Sequence, residues 1–129
     1  MYSNKIYEIL RNPVNAGGLQ GADATGKYEN ADTNEVYKIY IKFDENREYV
    51  EEARFKTMGN PIAIAASSAL TEIVKGKTVE ELLTLSNQDI ISEIGDVPED
   101  KIYCTLDVIC CLQNAVKTYL KKLEKENNQ

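Results

Sequence analysis

A chain of 129 residues, 43% of them hydrophobic and 28% charged, fits one globular domain over residues 1–129. The net charge of −6 argues against binding to nucleic acid phosphates or to an anionic membrane surface. Because the chain has no histidine, imidazole catalysis and histidine metal ligands are excluded. No apolar run could span a bilayer and no signal peptide is evident, so we expect a cytoplasmic protein with reduced cysteines.

The first half of the chain is predicted to form a helix, a loop and a small antiparallel sheet. The segment VYKIYIKF alternates between two sets of side chains, which is typical of a strand with one buried face. The turn-forming DENR follows it, which indicates a hairpin. The expected bounds are 3–11 for the helix, 14–26 for the loop, 36–43 and 49–57 for the hairpin strands, and 26–32 for a third strand.

The second half is predicted to be helical. Asn60 can cap a buried helix over residues 62–74, and Pro61 suits its first position. Short helices are expected after Thr78 and Ser86, and a long helix after Pro98, with a polar tail that frays from about residue 124. The order of elements indicates an α+β layered fold. The expected apolar stripe of the last helix is Ile102, Leu106, Ile109, Val116, Leu120 and Leu123.

Three cysteines lie on this last helix. Cys104 falls in its first turns, where a helix N-terminus can lower the pKa of a thiol, although cysteine also serves as a small hydrophobe near a core. Cys110 lies beside the apolar stripe and is predicted to be in the core. Cys111 should point the same way as Cys104, but the two are about 10.5 Å apart along the helix axis. One tetrahedral metal therefore cannot bind both.

Three separated segments carry a resemblance to a known family. The stretch RFKTMGNPIAIAASSALTEIVKGKTVEEL (54–82) resembles the signature region of IscU-type iron–sulfur cluster assembly scaffolds, the family that includes the N-terminal domain of NifU. RNPVNAG (11–17) and VPEDKIYC (97–104) resemble two further stretches of that family, in the same order. The resemblance runs from about Tyr7 to Leu123. It implies an α+β sandwich in which helices pack on one side of a three-stranded antiparallel sheet, with a long C-terminal helix.

The resemblance also implies a ligand site, in which three cysteines, an aspartate and often a histidine hold metal or cluster. The first cysteine falls on Thr33, the aspartate on Glu35, the second cysteine on Asn60 and the histidine on Tyr103, while the third cysteine is kept as Cys104. Cys104 and Glu35 are therefore the candidate ligands. Thiolates are the expected ligands of a cluster, so this set predicts weak or transient binding of iron or an iron–sulfur cluster, with no binding as the alternative.

The functions implied are those of a scaffold rather than an enzyme. Such scaffolds receive iron, and sulfur from a cysteine desulfurase, and pass clusters to acceptor proteins; here Cys104 and Glu35 would hold iron weakly, or Cys104 would accept a sulfane sulfur. The alternative is a non-catalytic paralogue that acts as an interaction or regulatory module for the desulfurase and binds no cluster. A chaperone is a further partner, although VPEDK (97–101) matches the chaperone-binding motif at only two positions. An unrelated enzyme would need a convergent polar set that the sequence lacks.

Overall fold

The computed structural model describes residues 2–128, which form one three-stranded sheet, five α-helices and a single 3-10 turn. The predicted α+β class, with a long C-terminal helix, is confirmed. The strands pair antiparallel in the order β1-β2-β3. The elements are α1 (Asn4–Arg11), β1 (Ala24–Glu29), β2 (Val36–Phe43), β3 (Val50–Met58), α2 (Pro61–Ile73), α3 (Val79–Thr84), α4 (Asn87–Ile94), the 3-10 turn Glu99–Lys101 and α5 (Ile102–Asn127).

The sheet has a covered inner face and an open outer face, because its side chains alternate along each strand. α5 packs across β1 and β2, and α2 packs against β3. The hairpin was predicted to within one residue, whereas the third strand begins inside the segment that the sequence assigns to a loop and ends before residue 32. The buried inner-face residues are Ala24, Gly26, Tyr37, Ile39, Ile41, Phe43, Val50, Ala53 and Phe55.

Gly26 is the point of closest approach between the sheet and α5. A Cβ on Gly26 would lie 2.6 Å from the backbone nitrogen of Ala115 and would also overlap the backbone carbonyl of Cys111. Both obstacles belong to the backbone of a helix, which cannot move aside as a flexible side chain could. Glycine is therefore required where β1 lies under α5.

α2 is a nearly fully buried helix of small side chains. Asn60 caps it through its side-chain oxygen, and Pro61 occupies the first position, as the sequence predicts. Ser67 donates a hydrogen bond to the carbonyl of Ala63 at 2.8 Å, so its hydroxyl is satisfied inside the core. These small residues let α2 pack closely between its neighbours, which places its N-terminus beside β2 and α5.

The buried face of α5 differs from the predicted stripe. Leu106 and Leu120 are exposed, and Cys110 is only half-buried rather than in the core. Cys111, like Cys104, lies fully in the core. The helix also continues through the polar end of the chain to Asn127, past the fraying predicted from about residue 124. The predicted stripe was wrong because contact with β1 decides which face of α5 is buried. That face includes small and polar residues, which a search for large apolar residues misses.

None of the helices in the described part of the chain is both long enough and apolar enough to cross a membrane.

Candidate functional site

Four of the residues singled out in the sequence meet where three elements come together. Glu35 precedes β2, Asn60 caps α2, and Tyr103 and Cys104 lie in the first turn of α5. The chain brings them together because the hairpin returns β3 beside β2, and α5 then crosses the sheet. Thr33 lies at the rim of the same group rather than inside it.

The Asn60 side chain is the centre of this group. Its oxygen accepts hydrogen bonds from the backbone nitrogens of Ile62 and Ala63 at 2.8 and 3.2 Å, which caps α2. Its nitrogen Nδ2 donates to a Glu35 carboxylate oxygen and faces Cys104 Sγ at 3.2 Å and Tyr103 Oη at 3.4 Å. An amide has only two N–H bonds, so three acceptors compete for them.

Glu35 is a buried carboxylate, with 6% of its surface exposed, and both of its oxygens are engaged. Tyr103 Oη donates to Oε1 at 2.6 Å, and the backbone nitrogen of Asn60 donates to Oε2 at 2.9 Å. Burial pushes the pKa of Glu35 upward, but hydrogen bonds from Tyr103, Asn60 and Thr33 outweigh burial and hold the pKa below its usual range. Glu35 is therefore ionised at neutral pH and stabilised by its neighbours.

Gly59 lets the backbone approach this carboxylate. A Cβ at Gly59 would lie 2.6 Å from Oε2 of Glu35 and 3.2 Å from the Cβ of Ala63. Only a residue without a side chain allows the turn before α2 to pass so close to a buried charge.

Cys104 is fully buried beneath Asn60. Burial raises the pKa of its thiol, donors such as Asn60 and Tyr37 oppose the rise, and the charge on Glu35 adds to it. A position in the first turn of a helix can lower the pKa of a thiol. For Cys104 the effect of desolvation is larger, so the pKa is raised. Cys104 is thus a neutral thiol at pH 7 in this arrangement.

The polar group extends further into the core than the sequence indicates. Asp107 is also buried, with 6% exposed, and its Oδ2 accepts from Asn30 Nδ2 at 2.9 Å and from Tyr37 Oη at 3.3 Å. Burial raises the pKa of Asp107, and these two donors partly offset the rise. One signal in the sequence could have pointed to it. Asp107 lies three residues after Cys104, so it interrupts the buried face of α5 with a carboxylate.

A shallow depression of about 560 Å³ opens above this group to the solvent. Thr33, Glu35, Asn60 and Tyr103 line it, and Cys104 lies below its floor. Among residues 2–128, no three histidine, cysteine, aspartate or glutamate side chains gather closely enough to hold a metal ion. The site therefore offers one thiol and one carboxylate to a metal, with a phenol, an amide and a hydroxyl around them.

The fold is shared with solved structures of NifU-like domains. A nitrogen-fixing NifU-like protein (N-terminal) from Brucella abortus superposes with a TM-score of 0.72 at 18% identity, covering 93% of this chain and 94% of that one. A SUF-system protein from Fervidobacterium islandicum superposes with a TM-score of 0.71 at 20% identity, covering 89% and 96% of the two chains. At these identities the likeness concerns the architecture alone.

Sequence comparison gives the family. Residues 1–126 match the family described as NifU-like N-terminal domain. The iron–sulfur cluster assembly scaffold protein IscU 1 of Archaeoglobus fulgidus is 36% identical over 122 residues, which is 95% of this chain and 78% of that protein. The scaffold protein IscU of Aquifex aeolicus is 39% identical over 121 residues, 94% and 77% of the two chains. The chain belongs to the NifU-like N-terminal domain family, and the resemblance noted in the sequence is confirmed.

Proposed function

We propose that this protein is a scaffold-type component of iron–sulfur cluster assembly whose ligand site is closed by Asn60, and that it acts through protein partners without holding a stable cluster itself. One observation carries the proposal. The Nδ2 atom of Asn60 lies where Glu35, Tyr103 and Cys104 converge, so an amide donor occupies the point from which a metal ion would contact all three.

The chemistry of the donors supports the same proposal. A cluster is normally held by several thiolates, and a thiol whose pKa is raised by burial must lose a proton before it can bind. Glu35 would have to give up hydrogen bonds from Tyr103 and from the backbone of Asn60 to bind a metal. Each of these changes makes metal binding less favourable than in a site with free thiolates.

The partners follow from family membership. Relatives in this family are named cluster assembly scaffolds, so a cysteine desulfurase is the partner we expect first, and a cluster acceptor or a chaperone the next. In this role the protein is an interaction or regulatory module and not an enzyme. A cytoplasmic location stays a prediction from the sequence.

Anaerobic reconstitution with iron and sulfide tests the proposal. We expect the wild-type protein to remain colourless after desalting, without acid-labile sulfide. We expect the Thr33→Cys/Asn60→Cys variant to acquire visible absorption and labile sulfide, because two thiols would then line the depression above Cys104. The matched control is Thr25→Cys/Asn46→Cys, which changes the same residue types at exposed positions.

Two results would contradict the proposal. A stable, sulfide-containing cluster on the wild-type chain would show that Asn60 does not close the site. A double variant that binds no more iron than its control would show that positions 33 and 60 do not border the depression above Cys104 as described.

A second candidate is weak iron binding by Cys104 and Glu35. It is favoured by the single fact that both side chains contact one atom, Nδ2 of Asn60, so a turn of the amide away from them would bring two ligands to one ion. Anaerobic Fe(II) titration of the wild type, of Cys104→Ser and of the buried control Cys111→Ser separates this candidate from the first. Iron binding that only Cys104→Ser abolishes would support it.

A further inference from the structure

The outer face of the sheet carries a row of three lysines. Lys27 on β1 is directly opposite Lys38 on β2, and Lys38 is directly opposite Lys56 on β3. Residues that face one another across antiparallel strands project from the same side of the sheet. At about 4.8 Å per strand, the row extends over about 10 Å. Three like charges in register across three strands are therefore held side by side on the surface.

In the described part of the chain, these lysines form no close ion pair with a carboxylate. Within residues 2–128, the ion pairs of the sheet involve Lys42 and Arg54, and none involves a lysine of the row. Like charges placed directly opposite one another destabilise a sheet. A row of cations without ion-pair partners on a protein of net charge −6 is thus an arrangement that lowers stability and that a bound anionic group would relieve.

An apolar groove adjoins the row. It has a volume of about 450 Å³, and Lys38 and Lys56 form part of its wall. Met58, which is 76% exposed, stands at its edge. An exposed large apolar side chain beside a groove marks a place where another apolar group can bind. The remaining apolar wall consists of Pro13, Ala16, Val36, Phe55 and Ile64.

We propose that this face binds an extended acidic segment of a partner protein, with its carboxylates on the lysine row and one apolar side chain in the groove. Charge complementarity is the argument for the occupant, because carboxylates on alternate residues of an extended peptide are about 7 Å apart and fall within the span of the row. Nucleic acid or an anionic membrane fits less well. Either presents a long array of charge that the overall acidity of this protein repels.

The groove and the depression of the candidate site share a lining residue. Met58 lines both the apolar groove and the depression above Asn60. A segment seated in the groove would therefore reach the edge of the Glu35 and Tyr103 network. The inference does not depend on the function proposed above, since it concerns the chemistry of a surface and not the ability to hold a cluster.

The test uses a defined probe and NMR of the full chain. The probe is an acetylated and amidated peptide of about ten residues, with glutamate at alternate positions and one leucine. We expect chemical-shift changes at Lys38, Lys56 and Met58, and binding that weakens with added salt. In Lys27→Glu/Lys38→Glu/Lys56→Glu we expect binding to weaken about tenfold or more.

The matched control reverses three exposed lysines of α5, as Lys121→Glu/Lys122→Glu/Lys125→Glu. It changes the net charge by the same amount, so its affinity for the peptide should stay much closer to that of the wild type. The single variant Lys38→Glu keeps the test informative if the triple variant fails to fold. It places a carboxylate between two lysines, so we expect it to fold at least as well as the wild type and still to bind the peptide more weakly.

Four results would overturn the proposal. The first is no shift change at this face with peptide up to millimolar concentration. The second is equal loss of binding in the α5 control, which would mean that only net charge matters. The third is equal affinity for a peptide with serine in place of leucine, which would remove the role of the groove. The fourth is tighter binding of a single-stranded oligonucleotide or of phosphatidylserine vesicles than of the peptide at this face.

Discussion

The two faces of the sheet are formed by the same strands, yet the buried carboxylates near one face have partners within the protein, whereas the lysine row on the other forms no ion pair in the described chain. On the inner face and at its end beside α2, the buried carboxylates Glu35 and Asp107 are each held by two or more donors. On the outer face, the lysine row has no anionic partner within the described residues. The comparison separates polar groups that the fold itself satisfies from polar groups that are left for something else to satisfy.

This difference indicates where the protein resists change and where it accepts a partner. A buried carboxylate deprived of its donors costs free energy, so the inner network stabilises the fold and opposes the entry of a metal. Replacing a surface lysine changes the free energy of unfolding only slightly, so residues of the outer face can be selected for binding without loss of the fold. Substitutions at four positions test this comparison, from the largest expected effect to the smallest.

Gly26→Ala should be the most damaging of the four. Its Cβ would meet the backbone of α5 at Ala115, so the sheet and the helix must separate. We expect a loss of about 3 kcal/mol in the free energy of unfolding, measured by urea denaturation. Gly18→Ala is the matched control, because its Cβ would meet only the flexible end of Lys56 at 3.2 Å. Equal effects of the two substitutions would mean that β1 does not lie against α5 as described.

Glu35→Gln should destabilise the protein by about 2 kcal/mol at pH 7, since it removes a charge that accepts several hydrogen bonds. The pKa of Glu35 is lowered in the folded state, so its contribution is present above the ordinary glutamate pKa of about 4.3. That contribution is lost as the pH falls through the lower, folded value. The gap between wild type and variant should therefore close in acid, as followed by urea denaturation from pH 7 to pH 3.

A control for this pH dependence is Glu51→Gln, on the exposed side of β3. Its stability should follow that of the wild type at every pH, since surface ion pairs contribute little. A gap for Glu35→Gln that stays constant from pH 7 to pH 3 would argue that the carboxylate charge has no part in holding the site together.

Asn60→Ala should cost about 1 kcal/mol, because α2 loses its side-chain cap. Asn60→Ser separates the two roles of this residue. Serine can cap the helix but is too short to replace the amide nitrogen between Glu35 and Cys104. We therefore expect Asn60→Ser to restore most of the stability, with faster amide hydrogen exchange at Tyr103 and Cys104 than in the wild type. Unchanged exchange at Tyr103 and Cys104 would mean that the side-chain amide of Asn60 does not stabilise the start of α5.

Lys38→Glu should have the smallest effect on stability and the opposite sign. Replacing the central cation by an anion removes two like-charge contacts and creates two favourable ones, for a gain of about 0.5 kcal/mol. The gain should shrink at high salt, and the thermal unfolding midpoint at two salt concentrations measures it. Lys121→Glu on α5 should show no such gain. A loss of stability in Lys38→Glu would mean that the row is already compensated.

The sequence predicted those parts of the fold that depend on local chemistry. The alternation of VYKIYIKF identifies β2, and Asn60 with Pro61 identifies the start of α2, since neither depends on distant residues. The buried face of α5 was predicted less well, because Leu106 and Leu120 are apolar but point to solvent. The side of a long helix that is buried is decided by its neighbours and not by its own composition.

The sequence predicted which residues lie together in the candidate site, but not the hydrogen bonds between them. Family resemblance indicates that Glu35, Asn60 and Cys104 should lie together, but not that one amide nitrogen contacts the other two side chains. The lysine row was missed for a related reason. Lys27 and Lys38 come together only through the register of β1 against β2, and a single sequence does not reveal strand register.

The hydrogen bonds that Asn60 makes through its side-chain oxygen and nitrogen have a consequence for how a thiol could appear at position 60. Asn60→Cys removes the amide oxygen that caps α2 and the amide donor together, so this step toward a thiolate site lowers stability before any metal can compensate for it. Thr33 neither caps a helix nor donates to Cys104, because it lies at the exposed rim of the depression. The order of substitutions therefore matters. If Thr33 is replaced first, the intermediate variant loses less free energy of unfolding than if Asn60 is replaced first.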